Sequence, residues 1–163
     1  VWIDNNKNGF IISTSSERFD AKVKLQPLEY EIARNYKTIS QKDYNDLKLN
    51  HFGELKAIIQ LTDNSRDQNL KDSLKTQLLN GIADKIYLQY GKDTFFAYAC
   101  EFIPPYEKNQ FILLPVFKTQ ISNLDSVDHD IVISIELEAN KIPIQVTFLK
   151  EKIKAIPNIK MTN

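Results

Sequence analysis

Between Lys85 and Lys118 the chain reads KIYLQYGKDTFFAYACEFIPPYEKNQFILLPVFK, its densest run of β-branched and aromatic residues. Such side chains fit a pleated, half-buried surface, so the run predicts strands. Ile86, Leu88 and Tyr90 alternate with Tyr87 and Gln89, and Gly91-Lys92-Asp93 supplies a turn. The returning segment carries Phe96, Tyr98, Cys100 and Phe102 on one face and Phe95, Ala97, Ala99 and Ile103 on the other, interrupted by Glu101. A strand apolar on both faces is a central one, covered on both sides. Phe95 to Phe102 is therefore expected in the middle of a sheet, with its rings as interior packing.

Past Pro104-Pro105, Phe111 to Phe117 reads as another strand, with Pro115 inside it. Proline removes a ladder donor, which predicts an edge strand or a bulge. An exposed apolar edge pairs readily with another chain. The expected site of ligand or partner contact is therefore Tyr106, Phe111, Leu113, Pro115 and Phe117. The rings of Tyr87, Phe96, Tyr98, Phe102, Tyr106 and Phe111 also have the spacing of a ligand groove, although core packing is the commoner use of aromatics at strand spacing.

The rest of the chain alternates strand and helix signals. Val1-Trp2-Ile3 and Phe10-Ile11-Ile12 flank the polar Asp4 to Gly9 and predict a hairpin, followed by a turn at Ser13 to Ser16. Ala21 to Gln26 and Leu55 to Thr62 read as strands, and Ile131 to Leu137 with Ile142 to Phe148 as a hairpin. Pro27 opens a short helix over Leu28 to Tyr36. Ser40 caps a second, with Tyr44, Leu47 and His51 on one face. Ser65-x-x-Gln68 resembles a capping box for a third, whose buried stripe is Leu70, Leu74 and Leu78, widened by Leu79 and stopped at Asn80-Gly81. One helical turn is expected over Lys150 to Ile156, then an extended tail. The fold class is α+β, a mostly antiparallel β-sheet or sandwich with two or three short helices packed on one side.

At 163 residues the chain is expected to form a single globular domain, 1–163, with core enough to need no staple. Its single cysteine, Cys100, lies in the most apolar strand and reads as a buried hydrophobe. Acidic and basic residues balance at 21 each and only Arg18, Arg34 and Arg66 are arginine, so no basic field points to nucleic acid. No apolar run approaches the ~20 residues of a membrane span. The first residue is Val1, which predicts a processed or trimmed chain with any targeting segment or lipid-anchor cysteine upstream.

Catalytic signatures are missing from the sequence. Glycine occurs only at 9, 53, 81 and 91, too sparsely for a phosphate-cradling loop, and histidine only at 51 and 129. Two stretches are candidate metal sites, and no other cofactor is expected. Asp4, Asn6, Asn8 and Gly9 match the first half of a calcium loop, but the closing position holds Ser15 where a bidentate Glu is expected. Asp125, Asp128 and Asp130 crowd around His129 and suit calcium, magnesium or a transition metal. The plainer readings are a hairpin turn and a solvated acidic loop. His51 reads as a helix-end histidine without a catalytic task.

The order of hairpin, Pro-started helix, second helix, the YLQYGKDTFFAYACEF hairpin and the AIPNIK tail resembles uncharacterised exported lipoprotein domains of bacteria. The resemblance covers most of the chain and implies a cell-envelope or extracellular location and no particular activity. The function expected is a non-catalytic binding or assembly module, meeting a protein partner or small ligand through a sheet edge and loops. A metal-dependent module or hydrolase using the acidic loops is the first alternative. A cytoplasmic immunity-type inhibitor is the second.

Overall fold

The computed structural model describes residues 8–36, 38–103, 109–121, 127–137, 142–155 and 161–162, with backbone alone at 33 and 161–162. The chain begins with β1 (Ile11–Ser15), β2 (Phe19–Gln26), α1 (Leu28–Asn35), β3 (Ile39–Ser40) and α2 (Gln41–Asn50). It continues through β4 (Glu54–Asp63), α3 (Gln68–Leu79), a 3-10 turn at Ala83–Lys85, β5 (Ile86–Tyr90), β6 (Asp93–Ile103) and β7 (Gln110–Lys118). The last elements are β8 (Ile131–Ile135), β9 (Ile144–Phe148), α4 (Lys150–Lys154) and β10 (Met161–Thr162).

Alternation decides which face each strand buries. In β4 every odd residue from Leu55 to Asp63 is buried, and in β7 Phe111, Leu113, Pro115 and Phe117 are. Eight strands pair antiparallel in the order β1-β2-β4-β7-β6-β5-β8-β9, and β9 returns alongside β1, so the sheet nearly closes into a barrel. The buried faces, with Leu74 and Leu78 of α3 and Ile153 of α4, make one core. Phe10, Phe19, Phe111, Phe117 and Phe148 are fully buried there, each stabilising the fold by roughly 1.5–3 kcal/mol relative to exposure. The architecture is α+β and mostly antiparallel, as the strand and helix signals imply.

Several features depart from the sequence-based expectations. Ser13 to Ser15 form no turn but the end of β1, pairing with Lys22, Ala21 and Asp20. This half-exposed rim strand tolerates small polar residues. The strand carrying Pro115 is no edge: β7 lies between β4 and β6. It accommodates the proline through a gap in the β4 ladder, where pairing passes from Lys56↔Val116 to Ile59↔Leu113. Ser134, which alternation puts on the face opposite Ile131, Ile133 and Ile135, is nevertheless buried and accepts from Gln145 Nε2 at 3.1 Å. Of the α3 stripe, Leu74 and Leu78 are buried while Leu70 and Leu79 are exposed, and the N-cap is Asp67, which accepts from Asn69 N, in place of Ser65.

The departure that matters most for the site is in β6. Its place in the middle of the sheet is as expected. Its register slips by one residue, Ala97 pairing with Phe117 and Ala99 with Val116, which leaves Tyr98 as the extra residue of a bulge. A bulge interrupts the two-residue alternation and re-aims a side chain. Phe95 therefore packs against the core before the bulge and Cys100 and Phe102 after it, while Phe96 and Tyr98 are 58% and 57% exposed. The outer face of β6 at these rings is open, not covered.

Candidate functional site

Several interacting polar groups gather beside an open cleft where α2 ends and β4 begins. Ser40 caps α2, its hydroxyl accepting from Asp43 N, and the helix runs to His51 at its C-cap. Gly53 then reverses the chain with φ +70. Its carbonyl accepts from Thr119 N at 2.6 Å and from Thr119 Oγ1 at 3.1 Å. Glu54 N donates to His51 O at 2.9 Å, closing the turn. Two side chains three residues apart are thereby set face to face, with His51 Nδ1 2.8 Å from Glu54 Oε2.

Glu54 is the hub. Its Oε1 accepts from the Tyr98 hydroxyl at 3.0 Å, and Lys118, its cross-strand partner on β7, brings Nζ to 3.9 Å. The hydrogen bond from His51 is the largest influence holding this carboxyl below the usual range, against burial and with help from Tyr98, the His51 charge and Lys118. The same carboxylate pushes the Tyr98 phenol up. Because Glu54 stays ionised it can only accept, so His51 Nδ1 donates and Nε2 is left to other partners.

Beside this hub lies a cleft of about 380 Å³, solvent included. Pro27, Leu28, Leu55, Phe52 and Ile121 supply its apolar lining, and Glu29, Lys48, His51 and Glu54 its charges. Beyond Tyr98, Phe96 rests on Tyr87 of the neighbouring strand with ring centroids 5.7 Å apart. An aromatic row on the outer face and a mixed cleft therefore meet at Glu54. The pattern His51-x-x-Glu54 around Gly53 is visible in the sequence; that Tyr98 would reach it is not, since strand pairing through β7 sets β6 near the start of β4.

The residues singled out from the sequence fall elsewhere. Phe111, Leu113, Pro115 and Phe117 point into the core and are unavailable to a partner, which corrects the edge-strand expectation. Their neighbours Ile112, Leu114 and Val116 face outward, half-buried. Phe102 stacks on Phe111, centroids 6.2 Å apart. Tyr106, Asp4, Asn6 and Asp125 lie outside the described residues, and Asn8 is half-buried ahead of β1. Asp128 accepts from the Tyr90 hydroxyl at 2.5 Å, and Asp130 accepts from Lys150 N at 2.9 Å. Tyr90 also packs edge-on against His129. Among the described residues no three His, Cys, Asp or Glu side chains converge as metal ligands, and no helix is long and apolar enough to cross a membrane. Cys100 is half-buried, and burial pushes its thiol up to about 11. Comparison with known proteins found no matching family model, no matching curated protein and no matching solved structure.

Proposed function

We propose that the chain is a non-catalytic binding module that meets its partner or ligand on the outer face of β6, around Phe96 and Tyr98. One observation carries this reading: two aromatic rings stand more than half exposed on an inner strand whose other rings pack in the core. Exposed rings of this size add little to folding and lower solubility, and a group of them marks a surface that something covers. Aromatic side chains contribute most of the binding energy at such surfaces. An envelope location rests on the resemblance of the hairpins and tail alone, and the codons upstream of Val1 test it.

The test is Phe96→Ser in the full chain. If the ring is a contact surface, the variant unfolds within about 2 °C of the parent, as surface substitutions do. In a ¹⁵N NMR screen with apolar peptides and small aromatic ligands, the parent shows shifts clustered on β5 and β6 that the variant loses. A loss of more than about 5 °C makes the ring packing material and sinks the proposal. So does a screen whose shifts cluster away from β5 and β6.

A further inference from the structure

Granted the contact surface at Phe96 and Tyr98, on which this inference rests, we propose that its partner is a second copy of this chain. The outer faces of β6 and β7 meet about a two-fold axis that lies in the interface and crosses the strands at Ala99 and Val116. Pairing fixes the layout of this face. Ala99 lies opposite Val116 and Glu101 opposite Leu114, while one step outward from the pair Ala97 and Phe117 sets Phe96 beside Lys118. Phe96, Ala99, Glu101 and Lys118 are exposed on it, and Leu114 and Val116 are half-buried.

The two ends of the face are complements. One carries the Phe96 ring and the Lys118 ammonium, the other Leu114 and the Glu101 carboxylate. Lys118 and Glu101 lie two residues, ~6.6 Å, to either side of the Ala99 and Val116 pair. The axis exchanges the ends, so Phe96 of one copy rests on Leu114 of the other and Lys118 meets Glu101. Each contact is made twice, as a self-complementary interface requires. Both charges are available for it. The Glu101 carboxylate has no partner among the described residues. Lys118 reaches Glu54 only at 3.9 Å, with 59% of its side chain exposed. Ala99 at the axis is small enough to let the two sheets approach. With 21 acidic and 21 basic residues, the copies carry no net charge to hold them apart. The face spans about 20 Å along β6 and about 15 Å across β4, β7, β6 and β5. That is less than the ~800 Å² each partner buries in a standard interface, so the dimer is a weak, exchanging one.

The experiment is sedimentation velocity of the full chain at low salt, with ¹⁵N spectra recorded over the same concentrations. A monomer–dimer equilibrium is expected with a dissociation constant between about 10 µM and about 1 mM, its concentration-dependent shifts clustered on β6 and β7. Phe96→Ser weakens it at least about tenfold. Glu101→Lys sets like charges opposite one another twice and weakens it at least about fivefold. Adding Lys118→Glu to Glu101→Lys restores the parent constant to within about threefold, which a loss of fold or solubility would not do. A chain still monomeric at about 1 mM overturns the proposal. So does dimerisation that Phe96→Ser or Glu101→Lys leaves unchanged, or a double variant no stronger than Glu101→Lys. Monomers whose β5 and β6 amides still shift with apolar peptides remove the second copy and leave the contact surface standing, whereas a loss of more than about 5 °C in Phe96→Ser removes both.

Discussion

The Tyr98 hydroxyl donates to Glu54 Oε1 at 3.0 Å, joining residues 44 apart at the point where β6 bulges. Glu54 therefore ties the end of α2 to β6 and β7. None of the residues of α2 is fully buried, so side-chain ties such as His51 to Glu54 matter more to its docking than packing does. Glu54→Gln is expected to cost about 1 kcal/mol at neutral pH. A carboxyl held below its usual value stabilises the fold above about pH 4.3, and that contribution fades as pH falls through the folded-state value. Urea unfolding at pH 7 and at pH 3.5 checks this: the gap between parent and variant narrows on acidification. A gap that stays constant removes the charge from the account.

At the far end of β4, Arg18 grips Asp63 with both arms, Nε to Oδ1 at 2.9 Å and Nη2 to Oδ2 at 2.6 Å, while Ser65 N also donates to Oδ1. Asp63 is fully buried. Burial pushes its carboxyl up, but Arg18 and the Ser65 amide outweigh that and leave it lowered. Arg18→Met keeps the stem and strands the carboxylate, at an expected cost of about 3–5 kcal/mol at pH 7. The sign of its pH dependence is opposite to that of the parent. Burial, the largest influence, is then opposed only by the Ser65 amide and Lys71 and raises the Asp63 value, so the variant recovers stability relative to the parent as pH falls towards 4, measurable by denaturant unfolding.

Much of this arrangement was legible in the sequence because it depends on local chemistry. The Gly91 turn, the Ser40 cap, the helix after Pro27 and the isoleucine face of β8 all follow from neighbours in the chain, and the structure keeps them. What could not be read was the consequence of pairing. Period-two alternation in β7 identifies two faces without saying which is inside, and the proline that usually marks an edge sits here at a gap in the ladder of an inner strand. The alternation in β6 misled because the bulge at Tyr98 shifts the faces part-way along. The Tyr98–Glu54 contact depends on strand pairing as well, so in the sequence His51 reads only as a helix end.

Gly53 and Gly81 separate conformational strain from contact. Both have positive φ, +70 and +109, but a Cβ on Gly53 would lie 2.4 Å from the Thr119 carbonyl oxygen, whereas one on Gly81 meets nothing within 4 Å. Gly81→Ala carries strain alone, about 1 kcal/mol. Gly53→Ala must also displace backbone, and is expected to cost at least about twice that. Its ¹⁵N spectrum should show shifts reaching Thr119 and Tyr98. Equal costs by thermal unfolding would mean the turn relaxes without disturbing the corner.

Cys100 makes a chemical probe of β6. With its thiol near 11, its thiolate population at pH 8 is about a hundredfold below that of an ordinary cysteine. Reaction with a disulfide reagent is expected to slow by about that factor in the native protein and to recover fully in guanidinium. A native rate equal to the unfolded one would place the sulfur in water and remove the inward orientation after the bulge.

The face assignment of β7 is open to a direct contrast between adjacent leucines. Leu113 is fully buried and pairs with Ile59 and Phe102, whereas Leu114 is half-buried and faces outward opposite Glu101. Leu113→Ala opens a cavity at the centre of the core, at an expected cost of about 2–5 kcal/mol. Leu114→Ala trims a side chain that folding leaves partly in water, so its loss is expected at about 1 kcal/mol. Denaturant midpoints of the two variants decide the orientation of the whole strand, because a slip of one residue exchanges every inward side chain for an outward one. If Leu114→Ala proves the costlier, Leu114 faces inward, Phe111 and Phe117 face outward with Leu113, and the contact surface expected on those rings returns in place of the Phe96 face.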